Sequence, residues 1–152
     1  LATPEKVVIK LVSLLTSGGC LTVLDYNHEK IQFSPDIPER MKHFYAAFLK
    51  WRADAGMDNA IVDHLEEMFK NSGLRGVSSG DYSEVSVRGQ QNFIEDISLW
   101  AKVAEVRGPQ LVRDRYITEH ERRQAIDDYQ LWMNGEAQYM KLYLRAVTGY
   151  RD

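Results

Sequence analysis

Gly18 and Gly19 separate two segments of opposite character, and that junction constrains the fold more than anything else in the chain. Upstream, Val7, Val8, Leu11, Leu14 and Leu15 recur at helical spacing. Thr3-Pro4-Glu5 suits the start of that helix. Threonine can cap, proline fits the first helical position, and glutamate favours the positive end of the helix dipole. The paired glycines stop the helix, because glycine takes the left-handed turn without steric cost. Residues Cys20 to Tyr26 then read as an apolar, β-branched strand of the kind covered on both faces. The strand ends in a polar cluster, Asp25-Tyr26-Asn27-His28. A helix running straight into such a strand is a joint of a doubly wound α/β sheet, where ligands gather beyond the carboxyl ends of the strands. The joint falls within the first 26 residues, and residue 1 is Leu rather than Met. Both features lead to the expectation that the chain starts in mid-fold and that upstream sequence is missing.

Downstream, Ser34-Pro35-Asp36-Ile37-Pro38 breaks regular structure. Met41, Phe44, Tyr45, Phe48, Leu49 and Arg52 mark a helix to about Ala55, closed by Gly56. Asp58 is placed to cap a second helix with Ile61, Val62, Leu65, Met68 and Phe69 on its apolar side, ending at Asn71-Ser72-Gly73. Leu74 to Val87 reads as a strand interrupted at Ser78-Ser79-Gly80. Phe93, Ile94, Ile97, Trp100, Ala101 and Ala104 mark a further helix that Gly108-Pro109 breaks. Thr118-Glu119-His120-Glu121 is a capping box opening a helix with Ala125, Ile126, Tyr129, Trp132 and Met133. Tyr139 to Tyr150 alternates as a last, antiparallel strand. Met140, Leu142, Leu144 and Ala146 share one face, and Tyr139, Lys141, Tyr143 and Arg145 the other. There are no repeats, no low-complexity tracts and no linker dividing the chain.

The segment Leu14 to Tyr26, Leu-Leu-Thr-Ser-Gly-Gly-Cys-Leu-Thr-Val-Leu-Asp-Tyr, resembles the Leu-Leu-Lys-Pro-Gly-Gly segment of class I S-adenosylmethionine-dependent methyltransferases. It is most similar to the small-molecule branch that includes the ubiquinone and menaquinone biosynthesis enzymes. In that family the segment joins the fourth helix to the fifth strand, and a helical insertion, a helix and two strands follow in this order. The resemblance implies an α/β fold: the C-terminal part of a Rossmann-like methyltransferase sheet. It would have about three strands, the last antiparallel, within a single partial domain spanning 1–152, with a helical insertion at about 37–72. It implies methyl transfer from S-adenosylmethionine to a small-molecule acceptor. The family's glycine-rich cofactor loop has no counterpart here, and no G-x-G-x-G or G-x-G-x-x-G occurs. The implied chain therefore supplies the substrate side, contains no cofactor-binding residues, and is inactive until joined to an N-terminal half.

The 152 residues suffice for one ordinary domain with a core, and 44% hydrophobic content argues against disorder. A formal net charge of -3 favours neither nucleic acid nor an anionic membrane. No apolar run reaches the roughly 20 residues that span a bilayer. The single cysteine, Cys20, rules out an internal disulfide and leads to a cytoplasmic expectation. His64 and His120 have no partners at metal-ligand spacing, so no metal site is expected. Arg113, Arg115, Arg122 and Arg123 alternate with acids and read as a solvated face.

His28 is the candidate catalytic residue, because imidazole moves protons near neutral pH and this one follows the strand end. Asp25, Tyr26 and Asn27 beside it are candidate substrate contacts. In the resembling family the insertion helices cover the substrate pocket, which adds Tyr45, Trp51 and Asn59. Aromatic and amide groups suit that task, combining apolar contact with orienting hydrogen bonds. The plainer alternative keeps Asp25 as a turn cap, His28 as a loop residue and the aromatics as core.

About three strands cannot cover the apolar helix faces and also leave no open edge. Pairing with the missing N-terminal half, or with another copy through the open strand edge, is therefore expected. Two other functions stay open: a non-catalytic α/β interaction module that self-associates or binds a protein, and a truncated nucleotide-binding dehydrogenase.

Overall fold

The computed structural model describes residues 3–152. In chain order the elements are α1 (Pro4–Ser13), β1 (Cys20–Tyr26), β2 (Gln32–Ser34), α2 (Glu39–Asp54), α3 (Ile61–Asn71), β3 (Arg75–Asp81) and β4 (Glu84–Val87). There follow α4 (Phe93–Ile97), α5 (Leu99–Val106), α6 (Gly108–Arg113), α7 (Glu119–Gly135), β5 (Tyr139–Leu142) and β6 (Leu144–Tyr150). The chain is thus mixed α/β, and it folds into two compact units. No helix of the described residues is long and apolar enough to cross a membrane.

The first unit comprises residues 1–31, 55–84 and 142–152. Its sheet has the order β1-β6-β3, with β6 antiparallel to both neighbours. Val8 of α1 and Val62, Leu65 and Phe69 of α3 bury against Leu74 and Val147, with Leu21 and Val23 of β1 packed on the same cluster. Burying a side chain such as Phe69 contributes about 1.5–3 kcal/mol. Gly149 lets that packing close: a Cβ there would stand 3.0 Å from Leu74 and 3.2 Å from Phe69. α1 ends at Ser13 with Leu14 as its cap, before the glycines expected to stop it; Gly18, at φ +77°, instead sits in a separate turn leading into β1, where the Gly19 N–H donates to the Thr16 carbonyl at 2.9 Å.

The structure corrects the expected strands. β1 is not covered on both faces. It pairs with β6 alone, so it is an edge strand, and Leu24 is 56% exposed. The stretch 74–87 breaks at Tyr82-Ser83, where the Asp81 carboxylate accepts the Ser83 N–H at 2.8 Å and turns the chain. The expected interruption, Ser78-Ser79-Gly80, instead pairs continuously with β6. The last strand is two strands in two sheets, split at Tyr143, whose carbonyl accepts the Asn27 N–H at 2.9 Å. Alternation of side chains cannot reveal such a change of partner.

The second unit comprises residues 32–54 and 85–141. Its sheet has the order β2-β5-β4, with β2 and β5 antiparallel. Met41, Phe44 and Phe48 of α2 are buried, as are Ala125, Ile126, Tyr129, Trp132 and Met133 of α7. These are the stripes the helical spacing predicts. The capping box also forms, with Thr118 and Glu121 bonding reciprocally. Gly108-Pro109 does not merely end a helix: it opens α6, where proline fits the first turn. Arg122 is not on a solvated face. It is 14% exposed, pairs with Glu119 at 2.7 Å and donates to the Ala104 carbonyl at 3.0 Å.

Candidate functional site

The end of β1 turns sharply, and one side chain holds the turn. Asn27 is 2% exposed. Its Oδ1 accepts the Glu29 N–H at 2.8 Å, and its Nδ2 donates to Asp63 Oδ2 at 2.8 Å. A buried amide must be satisfied, and this one is bonded on both sides. Lys30 Nζ reaches the same Asp63 oxygen at 2.6 Å and lies 4.7 Å from the centroid of the Tyr143 ring. Burial pushes the Asp63 carboxyl up, but the hydrogen bonds from Lys30 and Asn27 outweigh it and hold the group below its ordinary value.

His28 follows on this turn. Its backbone N–H donates to the Asn59 carbonyl at 2.8 Å, and its ring stands 6.3 Å from that of Tyr26. The Tyr26 hydroxyl lies 3.3 Å from both Glu84 carboxylate oxygens. Partial burial and then Glu84 raise the phenol's pKa. Asp25 accepts the Tyr26 N–H at 2.7 Å and stands opposite Arg145 in the sheet. Arg145 in turn donates to Ser79 and lies 3.6 Å from Glu66.

A second carboxylate works at the start of α3. Asp58 does not cap that helix by its own backbone position, because the cap residue is Ala60. Instead Asp58 Oδ1 accepts the Ala60 N–H at 2.8 Å, and Oδ2 meets His64 Nδ1 at 2.5 Å. The hydrogen bond to Asp58 raises the His64 pKa above its ordinary 6.5.

The structure therefore gathers Asp25, Tyr26, Asn27, His28 and Asn59 in the first unit, around the carboxyl end of β1. Tyr45 and Trp51 belong to the second unit. Tyr45 packs edge-on against Trp100 at 4.5 Å, and the Trp51 indole N–H donates to Asp114 at 2.8 Å. Sequence reasoning missed Lys30, Asp58, Asp63 and His64. Asp63 reads as an ordinary first-turn acid, and nothing local links it to Asn27, 36 residues earlier. His64 has no metal-ligand partner in the sequence; its partner is a carboxylate six residues back. Among the described residues no group of three or more His, Cys, Asp or Glu is placed to hold a metal ion.

The polar groups at the β1 end can do three things chemically. Lys30 and Arg145 offer cationic donors, Asp58 and Asp63 offer carboxylate acceptors, and the His64 imidazole beside Asp58 can exchange a proton. No protein-family model matches the chain, and no curated protein matches it. Among solved structures the chain is similar to Haemonchus contortus phospholethanolamine N-methyltransferase 2 in complex with phosphomonomethylethanolamine and S-adenosylhomocysteine, at 9% identity and a TM-score of 0.42. That match covers 98% of this chain and 30% of the other. At such identity and score the likeness says nothing of what this chain binds.

Proposed function

We propose that this chain is the substrate-side part of an S-adenosylmethionine-dependent methyltransferase acting on a small molecule, and that its β1 end holds the acceptor. One observation carries the reading: the helix, Gly-Gly, strand joint that resembles the methyltransferase segment ends in a built polar turn. There Asn27 is buried and anchored, and His28 is held through its backbone. In this reading the 152 residues are one part of a larger domain, and the remainder pairs along the open edge of β1.

The Gly18-Gly19 turn does not offer the cofactor an anion site. The Gly18 N–H donates to the Arg151 carbonyl at 2.8 Å and the Gly19 N–H to the Thr16 carbonyl at 2.9 Å. A strand, not a helix, follows them, so no helix N-terminus faces an anionic group there. S-adenosylmethionine, the methyl donor, is thus assigned to the remainder of the protein. This chain's own residues bind and orient the acceptor, and His28 takes a proton where the acceptor must lose one.

The test uses the whole open reading frame that encodes these residues. S-adenosylhomocysteine should bind the full polypeptide, and radiolabelled methyl groups should move to a small acceptor. His28→Ala should lower kcat by about 10²-fold while leaving S-adenosylhomocysteine binding intact. An open reading frame that adds no strand, glycine-rich loop and helix, together with no S-adenosylhomocysteine binding, would sink the proposal.

The same open edge favours a second reading. β1 has no charged residue between Cys20 and Leu24, and all seven of its residues pair regularly with β6. β3 at the other edge has a register shift between Arg75 and Ser78 and a charged residue at each end. Edges left regular and uncharged are templates for pairing. In this reading the chain is a non-catalytic module that self-associates through β1. Sedimentation of the isolated chain separates the two, since a monomer over a wide concentration range would exclude self-association.

A further inference from the structure

Two consecutive residues in the first turn of α3 hold two separate segments of the site. Asp63 takes the β1 turn, through Asn27 at 2.8 Å and Lys30 at 2.6 Å. His64 takes the preceding loop, through Asp58 at 2.5 Å. Those two segments are joined to each other, because the His28 N–H donates to the Asn59 carbonyl at 2.8 Å. The contacts close a ring: Asp63 to Asn27, along the chain to His28, across to Asn59, along the chain to Asp58, and across to His64, next to Asp63.

We propose that Asp58 and His64 are positioning residues of the β1-end site, which set where His28 sits by fixing the loop that holds its backbone. The inference rests on reading that end as the ligand site. The links of the ring differ in kind. The Asn27 amide at one link is buried, while the Asp58–His64 link is open to solvent, with His64 56% exposed. It is also the one link between side chains that turns on a proton. The groups that bear on His64 are Asp58 from the loop and Asp63 and Glu67 from its own helix, all acidic, with Lys30 engaged on Asp63. They favour the imidazolium. When His64 loses its proton, Nδ1–H can still donate to the Asp58 carboxylate, but the attraction of the imidazolium charge is gone and the loop that carries Asn59 is held less firmly.

Amide and imidazole NMR spectra of the chain, recorded between about pH 5 and 8, test this. The Asn59, Ala60 and His28 amides should shift with the same midpoint as the His64 ring, above the ordinary histidine value. In Asp58→Asn the His64 midpoint should fall. In His64→Gln, which keeps a hydrogen-bonding side chain without the titration, the His28 amide should lose that component. A His28 amide that ignores the His64 midpoint in the unaltered chain would overturn the proposal. So would an unchanged response in His64→Gln, which would trace it to the ring of His28 itself. This readout needs no turnover, so failure of the methyltransferase reading and failure of the ring are told apart. Absent methyl transfer with intact coupling removes only the activity.

Discussion

The two units bury their apolar residues with unequal success. In the second, Phe44, Met41, Ile97, Leu111 and Tyr129 are all fully enclosed, and the Tyr129 hydroxyl still reaches the Ile97 carbonyl at 2.7 Å. In the first, one sheet face closes on α1 and α3 around Phe69 and Val147, while Leu24, Tyr82 and Tyr150 remain exposed; the second leaves Val106 and Leu131 exposed as well. Helices that pack on several neighbours can enclose a core within a short segment of chain. A three-stranded sheet with helices on one side leaves a face and an edge open. The candidate polar site lies in the first unit, at the end of its open edge strand β1.

The largest effect that would sharpen this contrast comes from the two cores. Phe44→Ala in the second unit and Phe69→Ala in the first should each cost about 3–5 kcal/mol. Urea unfolding measures both, and hydrogen exchange shows whether each loss stays within its own unit. A loss at Phe69 far below that range would mean that the first unit is not independently packed. Next in size, Asn27→Ala removes the anchor of the β1 turn and leaves a cavity and a poorly satisfied carboxylate. We expect a loss of about 1–3 kcal/mol, with faster exchange of the Glu29 and Lys30 amides. Tyr129→Phe is the matching change in the second unit: one buried hydrogen bond, about 0.5–1.5 kcal/mol.

Glu119 in the second unit and His64 in the first should respond at opposite ends of the pH range. Hydrogen bonds from Arg122 and Arg123 hold the Glu119 carboxyl down to about 2, against an ordinary 4.5. A carboxylate lowered on folding stabilises above its unfolded value, so this contribution is present above about 4.5 and is lost as pH falls towards about 2. His64 in the first unit runs the other way, since its pKa is raised above 6.5. Its contribution is complete below 6.5 and disappears as pH rises through the folded value. Carbon-13 shifts of the Glu119 carboxyl and of the His64 ring read the two midpoints directly, and midpoints at the ordinary values would erase the distinction. The smallest effect on stability belongs to Leu24→Lys on the open edge. It should change unfolding free energy by no more than about 0.5 kcal/mol. If β1 pairs with another strand, the same change should abolish that association in sedimentation experiments.

Much of this molecule is written in local signals. The capping box at Thr118 and the buried stripes of α2, α3 and α7 depend on neighbours within one or two turns, and each stands where the residue pattern predicts, whereas α1 ends at Ser13, short of the glycines expected to stop it. The candidate site was half legible. Asp25 to His28 announce themselves as a polar cluster at a strand end, and Asn59 stands in a turn. The residues that make the cluster a built site, Asp63 and the Asp58–His64 pair, come from the next segment of chain and look ordinary where they stand. Tyr45 and Trp51 show the reverse: conspicuous in sequence, they are placed in the other unit, one packed on Trp100 and one bonded to Asp114.

What the sequence alone determined, then, is the longer helices and their inward faces, because periodicity and capping are short-range properties. What only the tertiary structure decided is which strand lies beside which. β1 became an edge, and the run from Tyr139 to Tyr150 divided at Tyr143 between two sheets. Strand pairing depends on partners more than a hundred residues apart, as with Thr22 and Thr148, and an alternating pattern presents the same two faces to any partner it meets.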